Sequence, residues 1–142
     1  MKYYVAGPFF DEVERNRMNK LRDYLRQDTK NEYFFPMEHF IPNGDKMSNC
    51  KWAEKVFKMD EQALINSDCV IAVYDRLYSD SGTAFEIGLA YGYSIPVILL
   101  CTDLFETNSI MPIMACDEIY LFSEYVEGKK NPVDIRYLNC LK

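Results

Sequence analysis

The fold is decided by residues 80–92, which read DSGTAFEIGLAYG, and by the apolar run CVIAVY at residues 69–74 before them. The apolar run predicts a buried strand, and Phe85, Leu89 and Gly92 recur at helical spacing. A strand, a polar loop and a helix therefore follow one another. In an open α/β sheet such a loop lies at the carboxyl end of its strand, where ligands bind.

Two carboxylates, Asp80 and Glu86, belong to this loop and the first helical turn after it. Thr83 and Glu86 fit a capping box, in which the Thr hydroxyl caps the helix and the Glu reaches back to the Thr amide. Asp80 and Ser81 are alternative caps. On local sequence alone a structural role is favoured over a catalytic one, because capping boxes are commoner than active-site glutamates.

The remaining chain alternates between strands and helices. Strands are predicted at residues 1–6, 33–35, 69–74, 95–101 and 117–122, helices at 9–26 and 51–66, and a short apolar turn at 108–115. This order predicts one α/β domain over residues 1–142, with a doubly wound sheet of about five mainly parallel strands and helices on both faces. The polar segment 37–50 is interpreted either as a lid over a site or as a disordered insertion.

Composition excludes several classes of function. A net charge of -6, with no run of Lys or Arg longer than two residues, repels nucleic acid. No stretch approaches the roughly 18 apolar residues of a membrane span, and the amino terminus lacks a signal pattern, so a cytoplasmic protein without membrane contact is expected. Five widely spaced cysteines indicate reduced thiols. His39 is the single histidine, which disfavours a His-ligated metal site and a His-containing triad.

The predicted sheet brings together residues that are distant in sequence. The carboxyl ends of the first and third strands share one edge, so residues 3–10 and 80–86 face one crevice. Asp60 lies at the edge of the apolar stripe of helix 51–66 and near the end that leads into the third strand. A solvated carboxylate is the simpler interpretation of Asp60. Carboxylates paired across a small cleft are, however, typical of glycosidic chemistry.

Three motifs carry a resemblance to a known family. They are YYVAGPF at residues 3–9, Asp60 followed by ALINSD at 63–68, and DSGTAFEIG at 80–88. In this order and spacing the chain resembles the nucleoside 2-deoxyribosyltransferases over residues 1–122. The resemblance implies a flavodoxin-like fold and an enzyme of nucleoside salvage that needs no cofactor and no metal. It also implies 2'-deoxynucleosides and free purine or pyrimidine bases as substrates.

The resemblance further implies the catalytic residues. Glu86 would attack the sugar and hold it as a covalent 2-deoxyribosyl ester, which a second base then attacks with net retention. The amino end of the helix would favour the ionised form of Glu86. Tyr3 would hydrogen-bond and orient this nucleophile. Asp60 and Asp80 would bind the base and manage the proton that it needs on leaving.

The implied substrate-binding residues come from two subunits. Phe9 would pack against the flat base, and the residues expected to line the site with it are Gly7 and Gly82. A neighbouring subunit would contribute Asn108, or Ser109 if the alignment slips by one, together with Met111. A homo-oligomer is therefore expected, and the apolar segment 108–115 suits an interface.

Other functions remain open at this stage, as does the choice between purine and pyrimidine bases. A hydrolase of 2'-deoxynucleoside 5'-monophosphates would need cations or a hydroxyl cluster around the phosphate. No cationic cluster lies beside Gly7 or Gly82, although Ser79 and Ser81 keep this alternative open. A phosphoribohydrolase is less favoured because a Pro-Gly-Gly sequence before Gly82 is absent. A non-catalytic nucleotide-binding module on the same fold is the third alternative.

Overall fold

The computed structural model describes residues 1–75, 80–102 and 110–134. These residues contain one five-stranded sheet, formed by β1 (Lys2–Ala6), β2 (Glu32–Phe34), β3 (Cys69–Tyr74), β4 (Val97–Cys101) and β5 (Glu118–Leu121). The strand order is β2-β1-β3-β4-β5, and every neighbouring pair is parallel. This is the flavodoxin-like order, which confirms the predicted fold class.

β3 forms the centre of the sheet. It pairs with β1 on one side and β4 on the other, with Ala72 opposite both Ala6 and Leu99. All six of its residues are buried. Helices cover both faces here, which explains why the sequence of β3 is continuously apolar rather than alternating.

The helices form a layer on each face of the sheet. One layer contains α2 (Asn49–Ile65), α3 (Ser81–Gly92) and α4 (Ile110–Met114), and the other contains α1 (Glu12–Leu25) and α5 (Phe122–Tyr125). The alternation of side chains along β1 separates the two cores. Tyr4 packs in the core of the first layer and Val5 in that of the second.

Two elements differ from the sequence-based expectation. α1 begins at Glu12 rather than at residue 9, because Asp11 caps the helix and forms a capping box with Glu14. α5 follows β5 directly, where the sequence analysis predicts no further element. Its formation depends on tertiary packing, because Phe122 and Tyr125 are both buried in the second core.

Residues 37–50 form an ordered wall and not a disordered insertion. Short 3-10 turns occupy Pro36–Glu38 and Gly44–Lys46, and Ser48 then caps α2. Gly44 lies so close to α2 that an added Cβ would be 2.8 Å from Cδ1 of Trp52. This close approach holds the segment against α2, beside the carboxyl edge of the sheet.

Candidate active site

A cavity of about 660 Å³ opens at the carboxyl edge of β1 and β3. Its walls come from the segment after β1, the 3-10 turns, α2 and the start of α3. The structure brings together six of the predicted site residues as lining residues of this cavity: Gly7, Phe9, Asp60, Asp80, Gly82 and Glu86. A volume in this range is typical of small-molecule sites.

Glu86 lies in the second turn of α3, with its side chain directed toward β1. The Tyr4 hydroxyl donates a hydrogen bond to Oε1 of Glu86. Burial, followed by the charge of Glu86 and this hydrogen bond, raises the pKa of Tyr4 well above its ordinary value. Tyr4 therefore remains a hydrogen-bond donor at any physiological pH.

Tyr3 does not make the contact predicted for it. Successive side chains on a strand point to opposite faces, so Tyr3 lies on the face that carries α1. Its hydroxyl donates to Sδ of Met1 at 3.5 Å, and its ring stacks on Tyr33 with 5.2 Å between centroids. Tyr4 takes the place proposed for Tyr3 beside Glu86.

The helix cap also differs from the expected capping box. Asp80, and not Thr83, caps α3, because Oδ2 of Asp80 accepts from both the backbone N and the Oγ1 of Thr83 at 2.9 Å. Glu86 is therefore not needed for capping. Its carboxylate bonds Tyr4 and lines the cavity instead.

The electrostatic setting of Glu86 opposes ionisation. Burial is the largest cause that raises the pKa of Glu86 to about 7, and the charges of Asp60 and Asp80 add to it, while the Tyr4 hydrogen bond lowers it. The expected help from the helix dipole is small, since this effect falls off within the first turn and Glu86 lies beyond it. Desolvation therefore outweighs the helix dipole.

Asp60 projects from α2 into the same cavity. Its Oδ1 is buried and has no hydrogen-bond partner in the part of the chain that the structure describes. Burial raises the pKa of Asp60, and the charge of His39 opposes this shift. A buried polar atom without a partner is costly, so a hydrogen-bond donor that reached this oxygen would be favoured. Asp60 as a whole is half-buried, so the solvated interpretation fails for Oδ1 alone.

Gly7 lines the cavity, and its backbone also packs closely against α1 and β3. A Cβ at this residue would lie 2.6 Å from Sδ of Met18 and 3.2 Å from Cβ of Val73. A side chain at residue 7 would therefore require Met18 and Val73 to shift. Phe9, two residues later, stacks on Phe10 with 5.3 Å between ring centroids.

Met111, which is predicted to act from a neighbouring subunit, is apart from this cavity. Met111 is 79% exposed and lines a separate cavity of about 550 Å³ between α3 and α4. Asn108 and its alternative Ser109 lie outside the described residues. Within one chain, therefore, the structure does not bring Met111 to Glu86.

Sequence reasoning missed two residues of the cavity region. The resemblance assigns the contact with the nucleophile to Tyr3, but it is the adjacent Tyr4 that bonds Glu86. His39 was considered only as a metal ligand or triad member, yet it lines the cavity close to Asp60. The signal that points to His39 is its position directly after the Pro36–Glu38 turn at the end of β2.

The described residues of this site include no lysine, no arginine and no group of metal-binding side chains. No Lys or Arg occurs among the described residues that line the 660 Å³ cavity. Across residues 1–75, 80–102 and 110–134, no group of three or more His, Cys, Asp or Glu side chains is arranged to hold a metal ion. In the same part of the chain, no helix has the length and apolar character needed to cross a membrane.

Comparison with known proteins points to one family. The model of the nucleoside 2-deoxyribosyltransferase family matches residues 3–133. None of the curated protein sequences gives a significant match. Among solved structures, a 2-deoxyribosyltransferase from Bacillus psychrosaccharolyticus is 27% identical, with a TM-score of 0.78 over 97% of this chain and 96% of that chain.

Two further solved structures share the fold at lower identity. A conserved protein from Enterococcus faecalis V583 is 22% identical, with a TM-score of 0.73 over 92% of this chain and 97% of its own. A CMP N-glycosidase from Clostridium botulinum is 21% identical, with a TM-score of 0.60 over 90% of this chain and 96% of its own.

Proposed function

The chain belongs to the nucleoside 2-deoxyribosyltransferase family, and we propose that it exchanges the base of 2'-deoxynucleosides through a covalent 2-deoxyribosyl ester on Glu86. The observation that carries this proposal is the half-buried carboxylate of Glu86, which lines the cavity and accepts a hydrogen bond from Tyr4. The hydrogen bond fixes one carboxylate oxygen, so the other is presented to a substrate in one orientation.

In the first half of the reaction, the ionised Glu86 carboxylate attacks the anomeric carbon of the sugar. The bond between this carbon and the base nitrogen breaks, and its electron pair leaves with the base. Asp60 donates the proton that neutralises the departing base. Its raised pKa supports this role, because a larger fraction of Asp60 is protonated near neutral pH than of an ordinary aspartate.

In the second half, a free base enters the cavity and transfers a proton to Asp60. Its ring nitrogen attacks the anomeric carbon, and the ester bond to Glu86 breaks with return of the carboxylate. Two displacements at one carbon give net retention, as in retaining glycosidases. Phe9 and the aromatic and aliphatic residues of α2 offer apolar surface for the flat base.

Asp80 combines two tasks in this proposal. Its Oδ2 is committed to capping α3 through Thr83, and the same carboxylate lines the cavity beside Gly82. A capped carboxylate is held in one rotamer, so it is a rigid acceptor for the amino or imino group of a base. Its negative charge also helps to keep Glu86 partly protonated until a substrate binds.

Unphosphorylated nucleosides are the proposed substrates. The described lining of the cavity holds the carboxylates of Asp60, Asp80 and Glu86 and no Lys or Arg, so these described residues disfavour a 5'-phosphate. The alternative is a hydrolase of 2'-deoxynucleoside 5'-monophosphates. The observation that favours it is the fold that the chain shares with a CMP N-glycosidase. The charge of the cavity favours base exchange over this alternative.

We also propose that the protein is a homo-oligomer in the cytoplasm and acts in nucleoside salvage. On α4 and α3, the exposed apolar residues Met111, Met114 and Tyr91 are 79%, 53% and 67% exposed. Exposed apolar surface of this kind favours association with another subunit. A neighbouring copy would then supply the residue that binds the sugar hydroxyls, for which Asn108 is the candidate.

Incubation with thymidine, with and without adenine, tests the function. We expect 2'-deoxyadenosine to appear only when adenine is present, and Glu86→Gln to abolish its formation. Mass spectrometry of the quenched protein should find one 2-deoxyribosyl group on the peptide that contains Glu86. Free thymine and 2-deoxyribose without any exchange product would contradict the proposal and indicate a hydrolase. A Glu86→Gln protein with full turnover would exclude the covalent step.

A further inference from the structure

Phe34 of β2 contacts two other rings on the side of the sheet that is covered by α2 and α3. It stacks on Tyr4 with 5.6 Å between ring centroids and 16° between planes, and on His39 with 4.1 Å and 5°. Its ring therefore contacts both the hydrogen-bond partner of Glu86 and a residue of the cavity wall. Phe34 itself is not among the residues that line the 660 Å³ cavity.

The register of the sheet places Phe34 directly beside Tyr4. Phe34 is opposite Tyr4 in the parallel pair of β1 and β2, and on the other side of Tyr4 the strand β3 presents the smaller Val70. All three side chains pack in the same core. Stacked aromatic pairs contribute more than the burial of their surfaces. Phe34 is thus the large cross-strand neighbour of the tyrosine that bonds Glu86.

The direction of the Tyr4 hydroxyl matters because hydrogen bonds are directional. This hydroxyl donates to Oε1 of Glu86, and such a bond weakens steeply when its angle departs far from linearity. A small tilt of the Tyr4 ring moves the hydroxyl, which is the atom farthest from the backbone. Reactive groups keep their geometry when the side chains that hold them are themselves locked by packing. The nearly parallel ring of Phe34 supplies such packing to Tyr4.

We propose that Phe34 is a positioning residue, which holds the ring of Tyr4 so that its hydroxyl stays directed at the carboxylate of Glu86. This inference rests on the proposed function, in which that carboxylate is the nucleophile. Without the Phe34 ring, Tyr4 tilts and its hydrogen bond to Glu86 weakens. A hydrogen bond to the charged form of an acid favours that form, so Glu86 then ionises less readily and is held less precisely for attack.

The titration of Glu86 tests the proposal without any measurement of turnover. NMR of the side-chain carboxyl carbons follows Glu86 in wild type, Phe34→Leu, Tyr4→Phe and the double variant, and the signal missing from Glu86→Gln identifies it. We expect the pKa of Glu86, about 7 in wild type, to rise in Phe34→Leu and to rise further in Tyr4→Phe. The double variant should match Tyr4→Phe, because Phe34 then has no hydroxyl to direct.

Turnover in the base-exchange assay gives a second measurement of the same coupling. Phe34→Leu should lower kcat about fivefold, in line with the contribution of one aromatic pair, and should move the acidic limb of the pH profile upward. Phe34→Tyr keeps the ring and should retain near wild-type kcat. In the Tyr4→Phe background, Phe34→Leu should change kcat by less than about twofold, because two residues that act through one contact are not additive.

Tyr33→Leu is the matched control. Tyr33 precedes Phe34 in β2, is half-buried like Phe34, and stacks on Tyr3 with 5.2 Å between ring centroids. This substitution removes a similar cross-strand stack on the opposite side of the sheet, so it should leave both kcat and the pKa of Glu86 unchanged. Equal effects of Tyr33→Leu and Phe34→Leu would indicate a general loosening of β2 and would overturn the proposal.

Failure of the proposed function is distinguishable from failure of this inference. If wild type forms no exchanged nucleoside, base exchange is excluded, and the titration of Glu86 still decides whether Phe34 positions Tyr4. An unchanged or lowered pKa of Glu86 in Phe34→Leu would overturn the inference, as would an equal rise in the Tyr4→Phe background. Should Phe34→Leu not fold, Phe34→Met fills more of the same space without a ring and takes its place in both measurements.

Discussion

Glu86 must be ionised to attack a sugar carbon, yet its surroundings favour the protonated form. Burial and the charges of Asp60 and Asp80 raise its pKa to about 7. Part of the population is therefore ionised at neutral pH, and this form is poorly solvated, which makes it more reactive. A positively charged transition state at the sugar would be attracted by these carboxylates.

Replacing Glu86 by Gln should stabilise the protein in a pH-dependent way. The pKa of Glu86 is about 7 in the folded state and 4.5 as the ordinary value, so the folded state loses stability as pH rises from about 4.5 to 7. Glu86→Gln removes this loss and still accepts from Tyr4. The free energy of unfolding should rise by about 3 kcal/mol at pH 8 and by about 1 kcal/mol at pH 5.5.

Urea denaturation of both proteins at the two pH values measures this difference. Asn31→Gln serves as a control, because it changes the length of a half-buried amide side chain that does not line the cavity. A stability gain that is equal at pH 5.5 and pH 8 would show that the pKa of Glu86 is not raised.

Tyr4 and Tyr3 form a matched pair for testing the orientation of the nucleophile. Tyr4→Phe removes the donor to Glu86 and should lower kcat by about 10- to 100-fold. It should also move the acidic limb of the pH profile upward, because this hydrogen bond lowers the pKa of Glu86. Tyr3→Phe loses only a contact with Met1 and should retain near wild-type kinetics. The reverse pattern would restore the original assignment of Tyr3.

At the scale of elements, two carboxylates near the start of α3 have different roles, one structural and one reactive. Asp80 satisfies the amide of Thr83, which leaves Glu86 to face β1 and the cavity. The segment after β2 adds the opposite wall, because Gly44 packs on Trp52 of α2. The cavity therefore depends on contacts between three chain segments and not on the α3 motif alone.

Substitutions of Asp80 can separate its capping role from its charge. Asp80→Asn keeps a good cap, whereas Asp80→Ala should lose about 0.5–2 kcal/mol of stability. In the proposed reaction both variants lose activity, because both lack the carboxylate that meets the base. Thermal denaturation and the base-exchange assay are measured together for each variant. Full activity in Asp80→Asn would limit Asp80 to a capping role.

At the scale of the whole molecule, the cavity and the exposed apolar surface are formed by different elements. The first three strands in sheet order provide the cavity edge, while α4 packs against α3 and leaves Met111 and Met114 exposed. This surface lies on the α3 side of the sheet, and α1 with its exposed Val13 lies on the other side.

Met111→Glu should disrupt the proposed oligomer. A charge within an apolar interface is strongly unfavourable, so sedimentation should give a smaller mass than for wild type. Activity should fall with it if a neighbouring subunit completes the site. Val13→Glu, on the opposite side of the sheet, is the control and should change neither mass nor activity. A wild-type protein that sediments as a monomer with full activity would contradict a shared site.

The order of elements was predictable because it depends on local patterns. The apolar run at 69–74 coincides with β3, and the turn residues around it separate strand from helix. Local patterns alone favoured structural roles for Glu86 and Asp60, and it was the resemblance to a family that singled out Asp60, Asp80 and Glu86 as candidates. Element ends such as the start of α1 were less accurate, because capping depends on side-chain contacts.

The sequence by itself determined the α/β order and the central strand, because periodicity encodes them locally, and it suggested the three carboxylates only through a family resemblance. Only the tertiary structure decided that Tyr4 rather than Tyr3 meets Glu86, since two adjacent tyrosines differ only in the face of the sheet they occupy. It also decided the raised pKa of Glu86 and the place of His39. Both arise from burial and stacking between segments that are far apart in the chain.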